Sequence, residues 1–217
     1  MDVELARSKM LGQQVRAWDV LDTRVLEILG AVPRERFVPE RFRNLAFAEV
    51  PLPLGHGESM MEPAVEGRLL QALALRPTDR VLEIGTGSGF LTACLARSAA
   101  SVVSLDIHAE FTERARAKLT AQGIRNVTLS TQDASRLGTD LGRFDAIAVT
   151  GSLPAFDLSF QAHLAVGGRL FMVIGAAPAM DALLVTRTAE AVFTRESLFE
   201  TDLAPLRNAK APSRFQL

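Results

Sequence analysis

Apolar and polar positions follow two different patterns before and after residue 79. From Asp79 onward, short apolar runs alternate with amphipathic stretches, which is typical of βαβ units. The apolar runs predict strands at residues 81–84, 102–105, 127–130, 144–149 and 169–174, and later ones at 183–186 and 198–203. Residues 91–97 and 108–122 have helical periodicity. We therefore expect an α/β fold with a mainly parallel sheet, helices on both faces and an antiparallel pair of late strands at one edge.

The first part of the chain reads as helices followed by a long irregular stretch. Leu11, Val15 and Trp18 recur at helical spacing, and a second helix is expected between Asp22, a capping residue, and Gly30. Residues 46–59 are rich in proline and glycine, which predicts a loop with little regular structure. Residues 62–75 are again helical. We expect residues 1–60 to form a helical extension with a functional loop, and residues 61–217 the α/β domain.

Composition narrows the function classes. The chain has 217 residues, a net charge of −1 and 48% apolar residues, so no overall basic charge attracts nucleic acid. It lacks an apolar run long enough to span a membrane and a signal-peptide pattern at its start. The single cysteine and the three scattered histidines lack metal-ligand spacing. We expect a cytoplasmic protein without membrane, nucleic-acid or metal partners.

The most informative segment is residues 80–90, RVLEIGTGSGF. A strand leads into a loop with glycine at positions 85, 87 and 89, and a helix follows, an arrangement that can hold a nucleoside-containing cofactor. The third glycine of a dinucleotide fingerprint would fall at position 90, which is Phe90. Glu83 would repel phosphates but suits a cofactor with an amino group and a sulfonium. The segment resembles the first motif of S-adenosylmethionine-dependent methyltransferases.

Three aspartates lie at the ends of predicted strands. Asp106 follows Gly85 by 21 positions, which suits an acceptor for two ribose hydroxyls, although it could instead cap the next helix. Asp133 follows the third strand and could accept from an adenine amino group, or serve only in a turn. Asp145 begins the fourth strand and is interpreted as structural.

Several segments together resemble the protein-L-isoaspartate O-methyltransferase family. They are residues 32–39 (VPRERFVP), 52–57 (LPLGHG), 80–90, 144–150 (FDAIAVT), 167–170, 173–175 and 199–206 (FETDLAPL). The resemblance implies a Rossmann-like methyltransferase fold, S-adenosylmethionine as cofactor, and methylation of the carboxyl group of isoaspartyl residues in damaged proteins. The cofactor-binding residues that it implies, together with the glycine loop and strand ends, are Glu83, Gly85, Thr86, Gly87, Gly89, Asp106, Ile107, Asp133, Ala134 and Thr150.

The chain departs from this family in the loop that contacts the acceptor. The family usually reads GQTISQP where this chain reads GESMMEP, at residues 57–63. The catalytic positions are therefore Ser59, where the family has threonine, and Met61, where it has serine. A thioether donates no hydrogen bond and accepts only weakly.

The same loop carries extra negative charge. Glu58 and Glu62 replace neutral amides beside a site for a carboxylate substrate. Two like charges about 4 Å apart cost about 1 kcal/mol in water and about 4 kcal/mol at an effective dielectric of about 20. The tail at residues 207–210, with Arg207 and Lys210, could supply compensating cations. We expect cofactor binding with weak or absent isoaspartyl turnover. A different acceptor, or a binding protein without turnover, remains an alternative.

Overall fold

The computed structural model describes residues 2–210, which are built around one seven-stranded sheet. Its strands run in the order β5-β4-β3-β6-β7-β8-β9. They span Arg80–Ile84 (β3), Ser101–Asp106 (β4), Val127–Thr131 (β5), Phe144–Leu153 (β6), Leu164–Ala176 (β7), Ala179–Ala189 (β8) and Val192–Thr201 (β9). Strands β3 to β7 pair in parallel, and β8 and β9 are antiparallel to their neighbours. The predicted sheet and antiparallel edge are confirmed, although β6 to β9 are longer than the predicted runs.

Helices cover the sheet on both faces, as expected of a Rossmann-like methyltransferase fold. They span Val3–Lys9 (α1), Thr23–Ala31 (α2), Pro63–Leu73 (α3), Phe90–Ser98 (α4), Ala109–Ala121 (α5) and Leu158–Ala162 (α6). Alternate strand residues face opposite ways, so Val81 joins the cluster under α3, α4 and α5, whereas Leu82 joins the cluster under α6. Two separate apolar cores therefore hold the sheet.

The N-terminal segment is helical but irregular. The helix predicted around Leu11 and Trp18 is a π-helical turn, Met10–Val15, followed by a 3₁₀ turn, Arg16–Trp18. Asp22 caps α2 as predicted, because its side chain accepts from the Arg24 N–H. This segment packs closely on α3: a Cβ added to Gly67 would lie 2.9 Å from Val15.

The prediction of an irregular loop at residues 46–59 is wrong in part. The segment contains a β-hairpin made of Leu52–Gly55 (β1) and Glu58–Met60 (β2). Leu52 and Leu54 are buried while Pro53 points outward, so the period of two that defines a strand persists despite the proline. The reversal needs left-handed backbone, and His56 and Gly57 have φ of 56° and 81°.

The division at residue 60 stays a prediction. Residues from both sides, such as Val20, Leu29 and Leu69, share one hydrophobic cluster. Among residues 2–210, no helix has the length and apolar character needed to cross a membrane.

Candidate active site

A cleft opens at the carboxyl ends of β3, β4 and β6. The hairpin and residues 202–207 of the tail form a second wall, and the tail is anchored by a bridge between Pro205 and Ser152 of β6. Most of the predicted site residues line it, namely Ser59, Met61, Gly85, Gly87, Asp106, Ile107, Asp133, Ala134 and Thr150. The structure thus brings the predicted cofactor and acceptor residues into one cleft.

The glycine loop lies against the neighbouring strands. Gly85 has φ of 102°, and its N–H donates to the Leu105 carbonyl at 2.7 Å. A Cβ at this position would lie 2.2 Å from Thr150 Oγ1, which itself donates to the carbonyls of Ile84 and Gly85. Glycine is required here both by backbone conformation and by space.

Asp106 joins the glycine loop to the start of α5. Its two carboxylate oxygens accept from the N–H groups of Gly87 and His108, each at 2.9 Å. Burial raises the pKa of Asp106 above its ordinary value, and these two hydrogen bonds act in the opposite direction. A carboxylate has about four lone-pair sites, so each oxygen keeps capacity for another donor. Two adjacent ligand hydroxyls, as in a ribose, match that capacity.

Glu83 lies beneath the loop, away from the cleft. It is fully buried, and its Oε2 accepts from Thr92 Oγ1 at 2.6 Å and from Ser104 Oγ at 2.5 Å. Ser104 also bonds Thr86 Oγ1 at 2.6 Å, so the chain of hydrogen bonds leads back to the loop. Burial raises the pKa of Glu83 to about 8, which makes it mostly neutral at pH 7. Glu83, Thr86 and Gly89 do not line the cleft, and Glu83 supports the loop from below instead of facing a ligand.

The remaining aspartates have separate roles. Asp133 lies at the edge of the cleft, where its side chain accepts from the Ser135 N–H and from Asn208 Nδ2, each at 2.9 Å. Its expected contact with an adenine remains a prediction. Asp145 accepts from the Arg80 N–H at 2.8 Å, at the amino ends of the strands and far from the cleft mouth.

A buried arginine fixes the backbone of the acceptor loop. Arg34 is 1% exposed and donates to the Met61 carbonyl at 2.6 Å and to the Ala46 carbonyl at 2.9 Å. It also pairs with the buried Glu66, whose pKa burial raises to about 8, and its guanidinium lies 4.7 Å from the Phe90 ring. The sequence reasoning missed this pair. Arg34 lies within the quoted segment 32–39, yet nothing in that segment indicates its burial.

The exposed end of the hairpin is held by charged and aromatic contacts. Arg207 donates to Glu58 Oε1 at 2.7 Å and to the His56 carbonyl at 2.6 Å. His56 stacks on His108, with 4.3 Å between ring centroids, and lies 2.8 Å from Glu110 Oε2. The compensating cation that the sequence allowed for is therefore present at Glu58.

Comparison with known proteins decides the family. The model of the protein-L-isoaspartate(D-aspartate) O-methyltransferase family matches residues 6–211. This chain belongs to that family. It is 39% identical to protein-L-isoaspartate O-methyltransferase 1 of Rhodopseudomonas palustris strain HaA2, with 92% of this chain and 82% of the relative covered. A Koribacter versatilis protein-L-isoaspartate O-methyltransferase is 36% identical, with 93% and 90% covered.

A solved structure agrees in fold with this member of the family. The Plasmodium falciparum protein-L-isoaspartate O-methyltransferase, in complex with S-adenosyl-L-homocysteine, superposes with a TM-score of 0.81. The identity is 20%, with 93% of this chain and 98% of that chain covered, so the likeness concerns the fold. Within residues 2–210, no group of three His, Cys, Asp or Glu side chains is placed to hold a metal ion.

Proposed function

We propose that this protein transfers a methyl group from S-adenosylmethionine to the free α-carboxyl group of L-isoaspartyl residues in peptides and proteins. The proposal rests on family membership and on one structural observation. A single cleft joins the glycine loop and Asp106 on one wall to Ser59 and Met61 on the other. A donor and an acceptor bound there would be held side by side, and such positioning can supply much of a rate enhancement.

The residues present fit the cofactor. The positive φ values of Gly85 and Gly87 let a ligand approach the loop backbone, and Asp106 keeps acceptor capacity for two ribose hydroxyls. Ile107 and Ala134 supply apolar contact for an adenine. When bound, S-adenosylmethionine supplies a methyl group on a sulfonium, a reactive centre that belongs to the cofactor itself.

The protein's own residues bind and orient the acceptor. Arg34 fixes the carbonyl of Met61, so the loop that carries Ser59 has a defined position at the mouth of the cleft. The Ser59 hydroxyl is exposed and can donate to an incoming carboxylate. Arg207 holds the tip of the hairpin through the His56 carbonyl, and Leu54, Glu58 and Ser59 of the hairpin line the cleft beside it.

A different acceptor is the second candidate, and Met61 favours it. Its side chain lines the cleft where the family usually has a serine, which replaces a donor with an apolar surface. In either case the acceptor's nucleophile would approach from the hairpin side. Isoaspartyl proteins or peptides are the proposed partners. The cytoplasmic location, the absence of a nucleic-acid partner and the residue roles in the site remain predictions.

Turnover on a matched pair of peptides tests the proposal. One peptide carries an isoaspartyl residue and the other a normal aspartyl residue at the same position, and methyl esters are quantified with labelled cofactor. We expect esters on the isoaspartyl peptide alone. Binding of S-adenosylhomocysteine with esters on neither peptide would favour the different acceptor or a protein without turnover.

A further inference from the structure

The cleft has an unbalanced set of charges for an enzyme that accepts a carboxylate. Among the described residues that line it, the carboxyl groups are Glu58, Glu62, Asp106, Asp133 and Asp202. The described lining residues include one arginine, Arg207, and no lysine. An acceptor carboxylate would therefore meet mostly like charges, and Arg207 is the fixed cation able to offset them.

Arg207 already donates two hydrogen bonds and has further N–H groups that could bind an acceptor. Its Nε donates to Glu58 Oε1 at 2.7 Å and its Nη2 to the His56 carbonyl at 2.6 Å. A guanidinium has five N–H donors, and the Arg207 side chain is 50% exposed, so further donors can face the cleft. Glu58 is 21% exposed and also lies 3.8 Å from His108 Nε2, which gives its carboxylate a second contact.

We propose that Arg207 is a specificity-determining residue that binds the acceptor carboxylate, and that Glu58 occupies it when no acceptor is bound. This inference rests on the proposed function. The Glu58 side chain belongs to the same chemical class as the acceptor group, so an incoming carboxylate can replace it on the guanidinium without leaving Arg207 unpaired. A contact to one carboxylate oxygen leaves the other oxygen available as nucleophile.

The test is a double-mutant cycle on the KM for the isoaspartyl peptide. Arg207→Met should raise that KM about tenfold or more, because a charged hydrogen bond to the acceptor is lost. Glu58→Gln should lower it, because the competing carboxylate is gone. If Arg207 contacts the acceptor, Arg207→Met should still raise KM by about fivefold or more in the Glu58→Gln background. Arg207→Gln keeps a neutral donor for the His56 carbonyl, so its KM should stay raised; a normal KM there would show that Arg207 only holds the hairpin and would overturn the inference.

A purely compensating role for Arg207 gives a different result. If the arginine only neutralised Glu58, the protein carrying both substitutions would have the same KM as Glu58→Gln alone, and the inference would be overturned. Arg207→Lys keeps the charge and should recover part of the affinity that Arg207→Met loses. An unchanged KM in Arg207→Met would also overturn it.

Matched controls separate this inference from stability and from the proposed function. Arg143→Met removes an arginine of similar exposure that pairs with Glu190 outside the cleft, and its KM should equal that of the unmodified protein. The affinity for S-adenosylhomocysteine should stay the same in Arg207→Met. If the unmodified protein makes no ester on the isoaspartyl peptide, the proposed function fails and this inference fails with it. If that protein turns over but the cycle shows no Arg207 effect, the inference alone fails.

Discussion

The two walls of the cleft are held by different kinds of interaction. The glycine-loop wall consists of strand ends whose backbone groups bond to neighbouring strands, with the fully buried Glu83 beneath them. The hairpin wall buries Leu52, Leu54 and Met60 against the core, but its tip is held by contacts that solvent reaches, such as Glu58 with Arg207. Both walls share the core, but the first is held by backbone and buried polar contacts, whereas the charged tip of the second is exposed to solvent.

This difference explains where the chain can depart from its family. A change under the glycine loop disturbs buried polar groups, each of which costs about 1–3 kcal/mol when it loses its partner. An exposed ion pair contributes about 0–1 kcal/mol, so its members can be exchanged at little cost in stability. The departures at Glu58, Met61 and Glu62 all fall on the hairpin side. We infer that acceptor recognition can change while cofactor binding stays constant.

The largest effect is expected at Arg34, which pairs with Glu66 of α3 and donates to Met61 of the acceptor loop. Arg34→Met should lower the free energy of unfolding by about 3–5 kcal/mol, because it leaves buried Glu66 unpaired and removes the donor to the Met61 carbonyl. Urea denaturation measures this change. At a temperature where the variant stays folded, its KM for the acceptor should also rise.

Arg187→Met is the control for that prediction. Arg187 is also buried and donates to the carbonyl of Leu164, which does not line the cleft, whereas Arg34 donates to the carbonyl of Met61, which does. Arg187→Met should lose stability without a change in acceptor KM. Equal effects of the two substitutions on KM would show that Arg34 has no special connection to the acceptor loop.

The buried carboxyl beneath the glycine loop predicts a pH effect. Glu83 has a folded-state pKa of about 8 against an ordinary value of 4.5, so its contribution to stability is complete below about pH 4.5 and is lost as pH rises towards 8. Glu83 should contribute about 2–4 kcal/mol to the fall in the free energy of unfolding between about pH 5 and pH 8. Glu83→Gln should reduce this fall, and buried Glu66 should retain part of it. An identical pH profile in the variant would refute the assignment.

The next largest effect is expected when a Cβ is added at Gly85 of the glycine loop. Gly85→Ala places a Cβ 2.2 Å from Thr150 Oγ1 at a positive φ, which costs about 1–3 kcal/mol in strain before any clash is relieved. Calorimetry should show weaker S-adenosylhomocysteine binding. Gly123 also has a positive φ but has open space around it, so Gly123→Ala should leave that binding unchanged.

The smallest effect is expected on the hairpin side. Met61→Ser together with Glu62→Gln should raise isoaspartyl methylation by a few-fold, equivalent to about 1 kcal/mol or less. Removal of the charge should act on KM, and a hydroxyl used only in the transition state should act on kcat. Steady-state kinetics separate the two. A lower kcat/KM in this variant would mean that the Met61 surface serves the natural acceptor.

The sequence predicted one wall of the cleft much better than the other. The strands around the glycine loop are continuous apolar runs, and their order along the chain places Gly87, Asp106 and Thr150 at one sheet edge. The sequence does not predict the hairpin, because its prolines and glycines are typical of loops, although Leu52 and Leu54 alternate with outward residues.

The contacts that complete the site could not be predicted from local patterns. Glu58 and Arg207 are 149 positions apart, and the Arg34–Glu66 pair joins two segments that each look ordinary. The position of Glu83 cannot be predicted from the sequence either, because a carboxyl two residues before Gly85 can point towards the ligand or into the core. These features depend on tertiary packing.

A crystal structure with S-adenosylhomocysteine and an isoaspartyl peptide would show whether one cleft binds both ligands on its two walls. We expect the ribose to bind Asp106 and the acceptor carboxylate to bind between Ser59 and Arg207. A peptide bound elsewhere, or a cofactor product away from the glycine loop, would contradict this expectation.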